Sequence, residues 1–573
     1  GGEHHWWISL EDPKPPLHFW FIALVWGWTS DPLMSARLIS VAAGVLCVPL
    51  TVWIVDELGH LFYGGLGAGM VRVTGLMAAV LMSVCPFLAF YQRLATQDAL
   101  FTMESMSVVW LSLRWARAGV VRGKQVGVPG AWGGALLLGV AVGAGLMTRQ
   151  GVSYTICAFP LVAWAVHRAV VRGRAPWVRG MAQLTLAGVV AGAMWVPYLL
   201  AEPESKSAPR SAEERAAQAK EDSWAELKRR ILYQDSFVGG TGNDSTEDKW
   251  VRVKRAWSER LNIASRNMRL AFVPHWIGDD PREPNSGWYY LYMTPPLFGL
   301  GLAGMAYLAF RHPRVFVLLF VWMVLLVGPL LFLANTIYSR YVLAGTPPML
   351  VAGGCLLADV TAMFLAGSPR RNVGAFISLM LWGVILALPL KELQTQAYDW
   401  QNQNLTLHGE ARSDRYQYLT GWTAGSGTRD AISYLQQAAE AGPIVVITTN
   451  AWGTPADALW AYFDGKPGVQ VFWTDGDRVL RPASEAGYYL LKQDKWLFPP
   501  VKPVKFVDKA KVFFVTNDPV HAATDVPAAS YYLRGNPNLG PPRTFYGVDG
   551  RLGEGVSVFP VSTNGPWPRQ RGD

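Results

Sequence analysis

Charged residues are scarce in this chain: they make up 16% of its 573 residues, while hydrophobic residues make up 51%. An ordinary soluble domain has about 25% charged residues. The composition therefore fits a polytopic membrane protein or an unusually apolar soluble one, and the long apolar runs described below favour the membrane protein. The net charge of +9 does not indicate a nucleic-acid partner. The basic residues lie in short loops between apolar runs, which is the pattern that orients a membrane protein.

Cysteine is rarer still, with four residues in the whole chain. All four fall inside apolar runs, so the sequence indicates neither a disulfide framework nor a cysteine metal cluster: Cys47, Cys85, Cys157 and Cys355. The sequence also lacks a glycine-rich phosphate loop, since the glycines at 64–69 follow no predicted strand, and no nucleotide cofactor is expected. No signal peptide opens the sequence, which starts at Gly1-Gly2-Glu3 in the manner of a trimmed or partial chain.

The long apolar runs predict about ten transmembrane helices, each near the length that crosses a hydrocarbon core of about 30 Å. They lie near residues 38–55, 73–90, 99–115, 131–147, 152–167, 179–200, 293–310, 315–335, 342–366 and 373–390. An earlier run, Leu17–Thr29, reaches only about 20 Å as a helix. It contains three tryptophans, which are typical of the water–lipid boundary. We interpret it as an interfacial segment, with a short, tilted transmembrane helix as the alternative.

Short basic loops predict the orientation of the chain. Four loops contain Arg or Lys and no acidic residue, and by the positive-inside rule they are cytoplasmic: 116–130, 168–179, 311–314 and 367–372. The loops on the other side are then external: 91–98, 148–151, 201–292 and 336–346. Both ends of the chain are external as well. This assignment is consistent only if Leu17–Thr29 does not cross, and it suits a bacterial plasma (inner) membrane.

Three regions follow from this topology. Residues 1–37 are predicted to be an extracytoplasmic juxtamembrane segment. Residues 38–390 form the transmembrane domain, which includes the external loop 201–292. Residues 391–573 form a soluble extracytoplasmic domain.

The soluble region has the signals of a small α/β domain. Ile444–Thr448 and Val512–Thr516 are apolar, β-branched runs typical of buried strands, and Thr428–Ala441 and Asp457–Phe463 have helical signals. The predicted fold is therefore a polytopic α-helical membrane protein of about ten transmembrane helices with a C-terminal extracytoplasmic α/β domain.

Ionisable residues near membrane depth are costly to bury and therefore informative. Asp98 stands at the outer start of a predicted span, and the topology places the other candidates on the same side: Asp12, Lys14, Arg37, Arg93, His275, Arg340 and Tyr341. Carboxylates, a histidine and several cations on one face predict an anion site. Arg and Lys suit a phosphate or pyrophosphate, while Asp98, His275 and Asp12 are reasonable ligands for Mg²⁺, Mn²⁺ or Zn²⁺.

Each candidate also has a purely structural interpretation. Asp98 is a good helix N-cap, and His275 can be a surface histidine among aromatic residues. Glu104, further along the Asp98 helix, can reach the site or bond a neighbouring helix. The cations can serve as interfacial or topological anchors: Lys14, Arg37 and Arg149.

The order of several motifs resembles a known family. The motifs are Lys14-Pro-Pro-Leu-His-Phe-Trp20, Ala36-Arg-Leu38, Arg93-Leu-Ala-Thr-Gln-Asp-Ala-Leu100, Gly145-Leu-Met-Thr-Arg-Gln-Gly151, Trp195-Val-Pro-Tyr198 and Ser339-Arg-Tyr-Val-Leu343. Their order and membrane sidedness resemble the GT-C membrane glycosyltransferases. Within these, the similarity is to the superfamily of protein O-mannosyltransferases and lipid A aminoarabinose transferases, over about residues 10–366.

This resemblance implies transfer of a sugar from a polyprenyl-phosphate donor to a protein, glycolipid or cell-envelope acceptor on the outer side of the membrane. Asp98 matches the acidic residue that helps to form the metal and donor-phosphate site, and it is the implied catalytic residue. Lys14 matches the lysine that meets the lipid phosphate. Arg340 and Tyr341 match the late external loop at the donor cavity, and His275 sits where related transferases can have a histidine ligand.

The sequence departs from the family pattern at two places. The resemblance implies a first transmembrane helix followed by an Asp-Glu pair, which supplies the expected catalytic base, and the chain is expected to lack both. In addition, Pro13 precedes Lys14 where related transferases often have Glu. Asp12 or Glu11 is the nearby acidic residue that can replace this glutamate, and the expected metal dependence rests on that replacement.

Two other functions remain open on the sequence. A transporter or flippase of a lipid-linked substrate predicts paired broken helices and charges at mid-membrane, whereas the candidate charges cluster at one edge. A non-catalytic assembly subunit, with the tail binding a partner, is the second alternative.

Overall fold

The computed structural model describes the following residues: 15–29, 32–62, 68–121, 129–149, 153–171, 177–200, 249–273, 287–334, 337–367, 371–401, 428–449, 456–463, 466–474, 478–483, 487–492, 511–517, 543–545 and 556–561. The chain divides into two compact units, Gly1–Gln394 and Thr395–Asp573. Each is described here by itself.

The first unit is helical throughout its described residues. Its α-helices are α1 (Leu17–Thr29), α2 (Pro32–Phe62), α3 (Ala68–Ser83), α4 (Pro86–Gln92), α5 (Gln97–Val121), α6 (Pro129–Thr148), α7 (Ser153–Ile156), α8 (Phe159–Val171), α9 (Trp177–Leu200), α10 (Lys249–Phe272), α11 (Trp288–Met293), α12 (Pro295–Arg311), α13 (Pro313–Leu333), α14 (Thr346–Gly367) and α15 (Arg371–Gln401). A 3₁₀ helix, Ser339–Gly345, leads directly into α14.

Every apolar run predicted to span the membrane lies mainly in helix, but the structure supports a smaller number of spans by length and composition. Among the described residues, five helices are long and apolar enough to cross a membrane, or six if the bent pair α3–α4 is one span. The run 152–167 is divided into α7 and α8, and α5 carries ionisable residues along its length. The predicted total of ten therefore stays a prediction.

Helix α1 has the length that the sequence predicts. It covers Leu17–Thr29 and has 13 residues, and it is not among the five long apolar helices. A helix of this length rises only about 20 Å, which agrees with an interfacial position.

The bend between α3 and α4 has a local cause. The two helices meet at 59°, and α4 begins at Pro86 while Cys85 adopts an extended conformation. A proline disfavours helical geometry in the residue before it, so α3 ends there and the chain restarts in a new direction. This bend brings the end of α4 to the start of α5.

Small residues allow the helices to approach closely. A Cβ placed on Gly354 of α14 would lie 2.7 Å from the Cα of Ala78 in α3, and a Cβ on Gly304 of α12 would collide with the backbone at Ala352. Glycine at such contacts is typical of helix packing in membranes, where close backbone approach takes the place of hydrophobic burial.

The second unit contains a mixed sheet. Its described elements are α16 (Thr428–Glu440), β1 (Ile444–Thr449), α17 (Ala456–Phe463), β2 (Val469–Thr474), β3 (Arg478–Ala483), β4 (Gly487–Lys492), β5 (Lys511–Asn517), β6 (Arg543–Phe545) and β7 (Val556–Val561). The sheet has the order β2-β1-β5-β7-β6, with β3 and β4 as a separate hairpin. Strands β2, β1 and β5 are parallel to one another. Strand β7 is antiparallel to β5, and β6 is antiparallel to β7.

The core of this unit lies between the sheet and the two helices. Buried residues of β1 and β5, such as Val446 and Phe513, pack with Leu435 of α16 and Phe463 of α17. The predicted strands and helices of this region are confirmed in type and position, whereas its location outside the membrane stays a prediction.

Candidate functional site

Asp98 lies in the first turn of α5, with 4% of its surface exposed. The short segment that leads into α5 is fixed to α2, since the Oγ of Ser40 donates to the carbonyl of Thr96 at 3.1 Å. Helix α5 begins at Gln97, so the interpretation of Asp98 as an N-cap is wrong. Its carboxylate instead points to cations, while its place in the first turn is favourable to the helix dipole.

The buried partner of Asp98 is Arg149. A guanidinium nitrogen of Arg149, which follows the last residue of α6, donates directly to the Oδ1 of Asp98. Both side chains are less than a tenth exposed. The guanidinium also lies over the ring of Tyr341 at 4.5 Å and over that of Phe101 at 5.7 Å. A buried carboxylate and guanidinium stabilise each other in this arrangement, and removal of either leaves a charge without its partner.

A second cation, Arg340, approaches the same carboxylate from the 3₁₀ helix. Its Nε lies 3.9 Å from the Oδ2 of Asp98, and its side chain is 23% exposed. It lies 5.3 Å from the ring of Tyr341 and 5.4 Å from that of Tyr338. Asp98 therefore stands between a buried guanidinium and a more accessible one. These three side chains together carry a net positive charge, which suits an anion.

Hydrogen bonds from other helices hold the 3₁₀ helix in place. The hydroxyl of Tyr91 in α4 and that of Ser339 share a hydrogen bond of 2.5 Å, and the hydroxyl of Tyr289 in α11 donates to the carbonyl of Val342 at 2.6 Å. At Gly345 a Cβ would meet Val327 of α13 at 2.5 Å. Arg340 and Tyr341 are thus presented by a segment fixed on several sides, as a preorganised site requires.

A buried hydrogen bond secures the end of α6 beside Arg149. The hydroxyl of Thr148 donates to the Oε1 of Glu104 at 2.8 Å, and both residues are buried. The Oε2 of Glu104 has no hydrogen-bond partner among the described residues. Of the two interpretations of Glu104, the bond to a neighbouring helix is the observed one. It fixes the backbone immediately before Arg149.

His18 of α1 is buried near this cluster. Burial lowers the pKa of His18 to about 4, and the negative charge of Asp98 partly opposes that shift. The histidine belongs to the Lys14–Trp20 motif, but sequence reasoning gave it no separate role. The position of His18 relative to Asp98 depends on how α1 packs against the other helices.

The structure brings three of the predicted site residues together: Asp98, Arg340 and Tyr341. Arg93 lies at the C-cap of α4, where its Nε donates to the carbonyl of Ala89 at 3.1 Å, and Arg37 is half-buried in α2. The remaining predicted residues lie outside the described part of the chain: Asp12, Lys14 and His275. Arg149, which the sequence placed among the anchors, is instead found paired with Asp98.

The predicted metal site finds no support in the described ranges. Among those residues, no group of three or more His, Cys, Asp or Glu side chains is placed to hold a metal ion. Asp98 is the one predicted ligand that the structure describes, and guanidinium groups already approach both of its oxygens. A metal at this place stays a prediction that depends on Asp12 and His275.

Residues 13–195 match the model of the family described as dolichyl-phosphate-mannose-protein mannosyltransferase. This match confirms the predicted resemblance over that part of the chain, which includes both Asp98 and Arg149. No curated protein matched the chain by sequence.

Two solved structures are among those similar to this chain. ArnT from Cupriavidus metallidurans bound to undecaprenyl phosphate is 12% identical, with a TM-score of 0.45, over 97% of this chain and 89% of that one. The archaeal oligosaccharyltransferase AglB from Archaeoglobus fulgidus, in complex with an inhibitory peptide and a dolichol-phosphate, is 13% identical with a TM-score of 0.43. That likeness covers 79% of this chain but only 56% of AglB.

Proposed function

We propose that this chain, whose residues 13–195 match the dolichyl-phosphate-mannose-protein mannosyltransferase family, is an integral-membrane glycosyltransferase. It transfers a sugar from a polyprenyl-phosphate donor to an acceptor on the extracytoplasmic side. The observation that carries the proposal is the buried Asp98–Arg149 pair with Arg340 beside it. A cluster with excess positive charge at the end of apolar helices suits a phosphate that is attached to a lipid chain.

The chemistry requires stabilisation of the leaving phosphate. When the bond between the sugar's anomeric carbon and the phosphate oxygen breaks, the oxygen keeps the electron pair and the lipid phosphate gains negative charge. A preorganised cation aimed at this oxygen lowers the barrier. Arg340 is the more accessible of the two guanidinium groups, so we assign it to the donor phosphate.

Asp98 and Arg149 support that step indirectly, by holding Arg340 in position. Because guanidinium groups approach both oxygens of Asp98, we assign Asp98 to holding the two cations, a narrower role than the catalytic one predicted from the family. The ring of Tyr341 lies beside both guanidinium groups and limits their movement. Lys14, Arg37 and Arg93 are further cations proposed for the donor phosphate.

The acceptor loses a proton as its oxygen or nitrogen bonds to the sugar, and a general base must accept that proton. The family resemblance implies an acidic residue for this role. A bound divalent metal would supply further charge stabilisation at the phosphate, with Asp12 and His275 as the proposed ligands.

The test compares Arg340→Gln with Arg340→Lys in protein reconstituted into vesicles that contain a polyprenyl-phosphate-linked sugar. We expect Arg340→Gln to lower kcat/KM by about a hundredfold or more, as for other groups that stabilise a developing oxyanion. Arg340→Lys keeps the charge but loses the planar fork, and we expect a smaller loss.

A matched control is Arg117→Gln. Arg117 also lies on α5 and forms an ion pair, with Glu57 of α2 at 3.1 Å, but it is near the end of α5 that is predicted to be cytoplasmic. Its loss should leave kcat/KM within a few-fold of wild type. Full turnover by Arg340→Gln, or an equal loss in Arg117→Gln, contradicts the proposal. Movement of the intact lipid-linked sugar across the membrane without any transfer product would favour the flippase alternative.

A further inference from the structure

Helix α10, within the long loop 201–292, is strongly basic, and the sequence-based interpretation did not predict it. Its sequence contains seven Lys or Arg residues and one Glu over 24 residues: Lys249, Arg252, Lys254, Arg255, Arg260, Arg266 and Arg269, with Glu259 as the acid. The apolar residues are spaced so that they gather on one side of the helix. This composition is typical of a helix that lies in the plane of a membrane interface.

The structure places the C-terminal half of α10 at the end of a membrane helix. The side-chain amide of Asn267 donates to the carbonyls of Leu331 and Ala334 at 3.0 and 2.8 Å. Leu331 lies in the last turn of α13 and Ala334 directly follows that helix, whose long apolar stretch ends at Phe332. A further bond joins the amide of Gly287 to the carbonyl of Leu270 at 2.8 Å. Helix α10 is therefore held at the depth where the apolar stretch of α13 ends.

The described side chains of α10 lie on a buried face, an apolar flank and a polar face. Ala264, Asn267 and Ala271 are buried, as their spacing of three and four residues requires for one face of a helix. Leu261 and Met268 are seven residues apart and so share the adjoining flank. Both are nevertheless exposed, by 56% and 42%.

The polar face of α10 lies away from α13. Successive residues are about 100° apart around a helix, which puts Arg269 roughly opposite the buried face, with Asn262 beside it. Both side chains are exposed. Next to its apolar flank the helix thus presents the face that holds Arg269, called the basic face below, at the edge of a membrane-spanning helix.

From this geometry we infer that α10 is an interfacial helix that binds anionic phospholipid headgroups of the outer leaflet. Leu261 and Met268 enter the acyl boundary, and the basic face binds the lipid phosphates. An apolar flank beside the exposed Arg269, on a helix whose sequence contains six further Lys or Arg residues, matches the apolar tail and the negative head of one lipid. A protein partner would have no need of this alignment with the end of α13. The inference does not depend on the proposed sugar transfer.

The first experiment determines whether the apolar flank of α10 faces lipid or water. Nitroxide labels are placed on Leu261→Cys, Met268→Cys, Asn262→Cys and Arg269→Cys in a background with Cys157→Ser, because the other three native cysteines are buried. The reconstituted full chain is then examined by EPR power saturation with oxygen and with a water-soluble nickel complex. We expect labels at 261 and 268 to favour oxygen, as in lipid, and labels at 262 and 269 to favour nickel. Nickel access at all four positions would overturn the inference, and so would immobilised labels shielded from both reagents.

The second experiment tests the charge. Spin-labelled phosphatidylglycerol and phosphatidylcholine are compared for association with the protein in vesicles made of a three-to-one mixture of phosphatidylcholine and phosphatidylglycerol. We expect selectivity for phosphatidylglycerol to fall about fivefold for each cation removed from α10, which corresponds to about 1 kcal/mol per charge near an anionic surface. The variant is Arg252→Gln, Arg255→Gln and Arg269→Gln combined.

The matched control removes three cations from the predicted cytoplasmic loops: Arg314→Gln, Arg370→Gln and Arg371→Gln. We expect it to keep most of the selectivity. An unchanged selectivity in the α10 variant, or an equal loss in the control, would overturn the inference. If the α10 variant does not insert into the membrane, the salt dependence of the unmodified protein tests the inference instead. High salt should remove its selectivity, since interactions between exposed charges are screened, and selectivity that persists in high salt would contradict a charge-based site.

Discussion

The pair of Asp98 and Arg149 allows the sharpest test of the site. Asp98→Asn keeps the shape of the side chain but removes its charge, which leaves the guanidinium of Arg149 buried without a counter-ion. Breaking a buried ion pair by removal of one partner costs about 3–5 kcal/mol. Since both side chains are less than a tenth exposed, this range applies without a discount for solvent. We expect the lower end, about 3 kcal/mol, because the ring of Tyr341 still lies 4.5 Å from the guanidinium.

The same change should also reduce sugar transfer. Without the carboxylate, both Arg149 and Arg340 lose their charged contact with Asp98. We expect a loss of about a hundredfold in kcat/KM, the size expected when a preorganised oxyanion contact is lost. Initial rates with a polyprenyl-phosphate-linked sugar measure this loss, and thermal unfolding of the purified protein measures the change in stability.

A double variant separates the structural contribution from the chemical one. Asp98→Asn combined with Arg149→Gln removes both charges, so we expect it to regain about 2 kcal/mol of the lost stability, as coupled neighbours do. Transfer should remain low because a cation is still missing. If the double variant transfers sugar at the wild-type rate, the pair is only a scaffold and the proposed role is wrong. If Asp98→Asn is as stable as wild type, the ion pair does not hold the helices in the way described.

Two further predictions concern residues next to the pair. Thr148→Val leaves the buried carboxyl of Glu104 without its donor, so we expect a loss of about 1–3 kcal/mol and slower transfer, while Thr148→Ser keeps the hydroxyl and should behave as wild type in both assays. Burial lowers the pKa of His18 from 6.5 to about 4, so protonation opposes the folded state: the stability is full above pH 6.5 and falls as the pH drops from 6.5 to 4. His18→Gln should flatten the dependence of Tm on pH within that window, and an unchanged slope would show that another group titrates there.

Local patterns in the sequence predicted most of the secondary structure. Runs of apolar residues located the helices of the first unit because hydropathy is a property of consecutive residues. The bounds of Leu17–Thr29 agree with the observed helix. In the second unit, β-branched runs bounded by turn residues located β1 and β5. Helix α10 was not predicted because it has a low average hydropathy and lies in a long polar loop.

The candidate site was only partly predictable. Asp98 and Arg340 were found because an ionisable residue at the edge of an apolar run is unusual, whatever its neighbours are. Arg149 has the same signal, yet sequence offers no way to tell an arginine that anchors a helix in lipid from one that pairs with a carboxylate. The structure shows the difference, since the guanidinium of Arg149 is buried against Asp98 and Tyr341.

The sequence by itself determined that this is a helical membrane protein with an α/β unit at its end, and it determined which charged residues are candidates on one predicted side. Only the tertiary structure decided which of these charges meet. Asp98, Arg149 and Arg340 come from the start of α5, the end of α6 and the 3₁₀ helix before α14. Their contact depends on the bond between Thr148 and Glu104 and on close helix packing. These are long-range steric and polar constraints, and no local pattern of residue types encodes them.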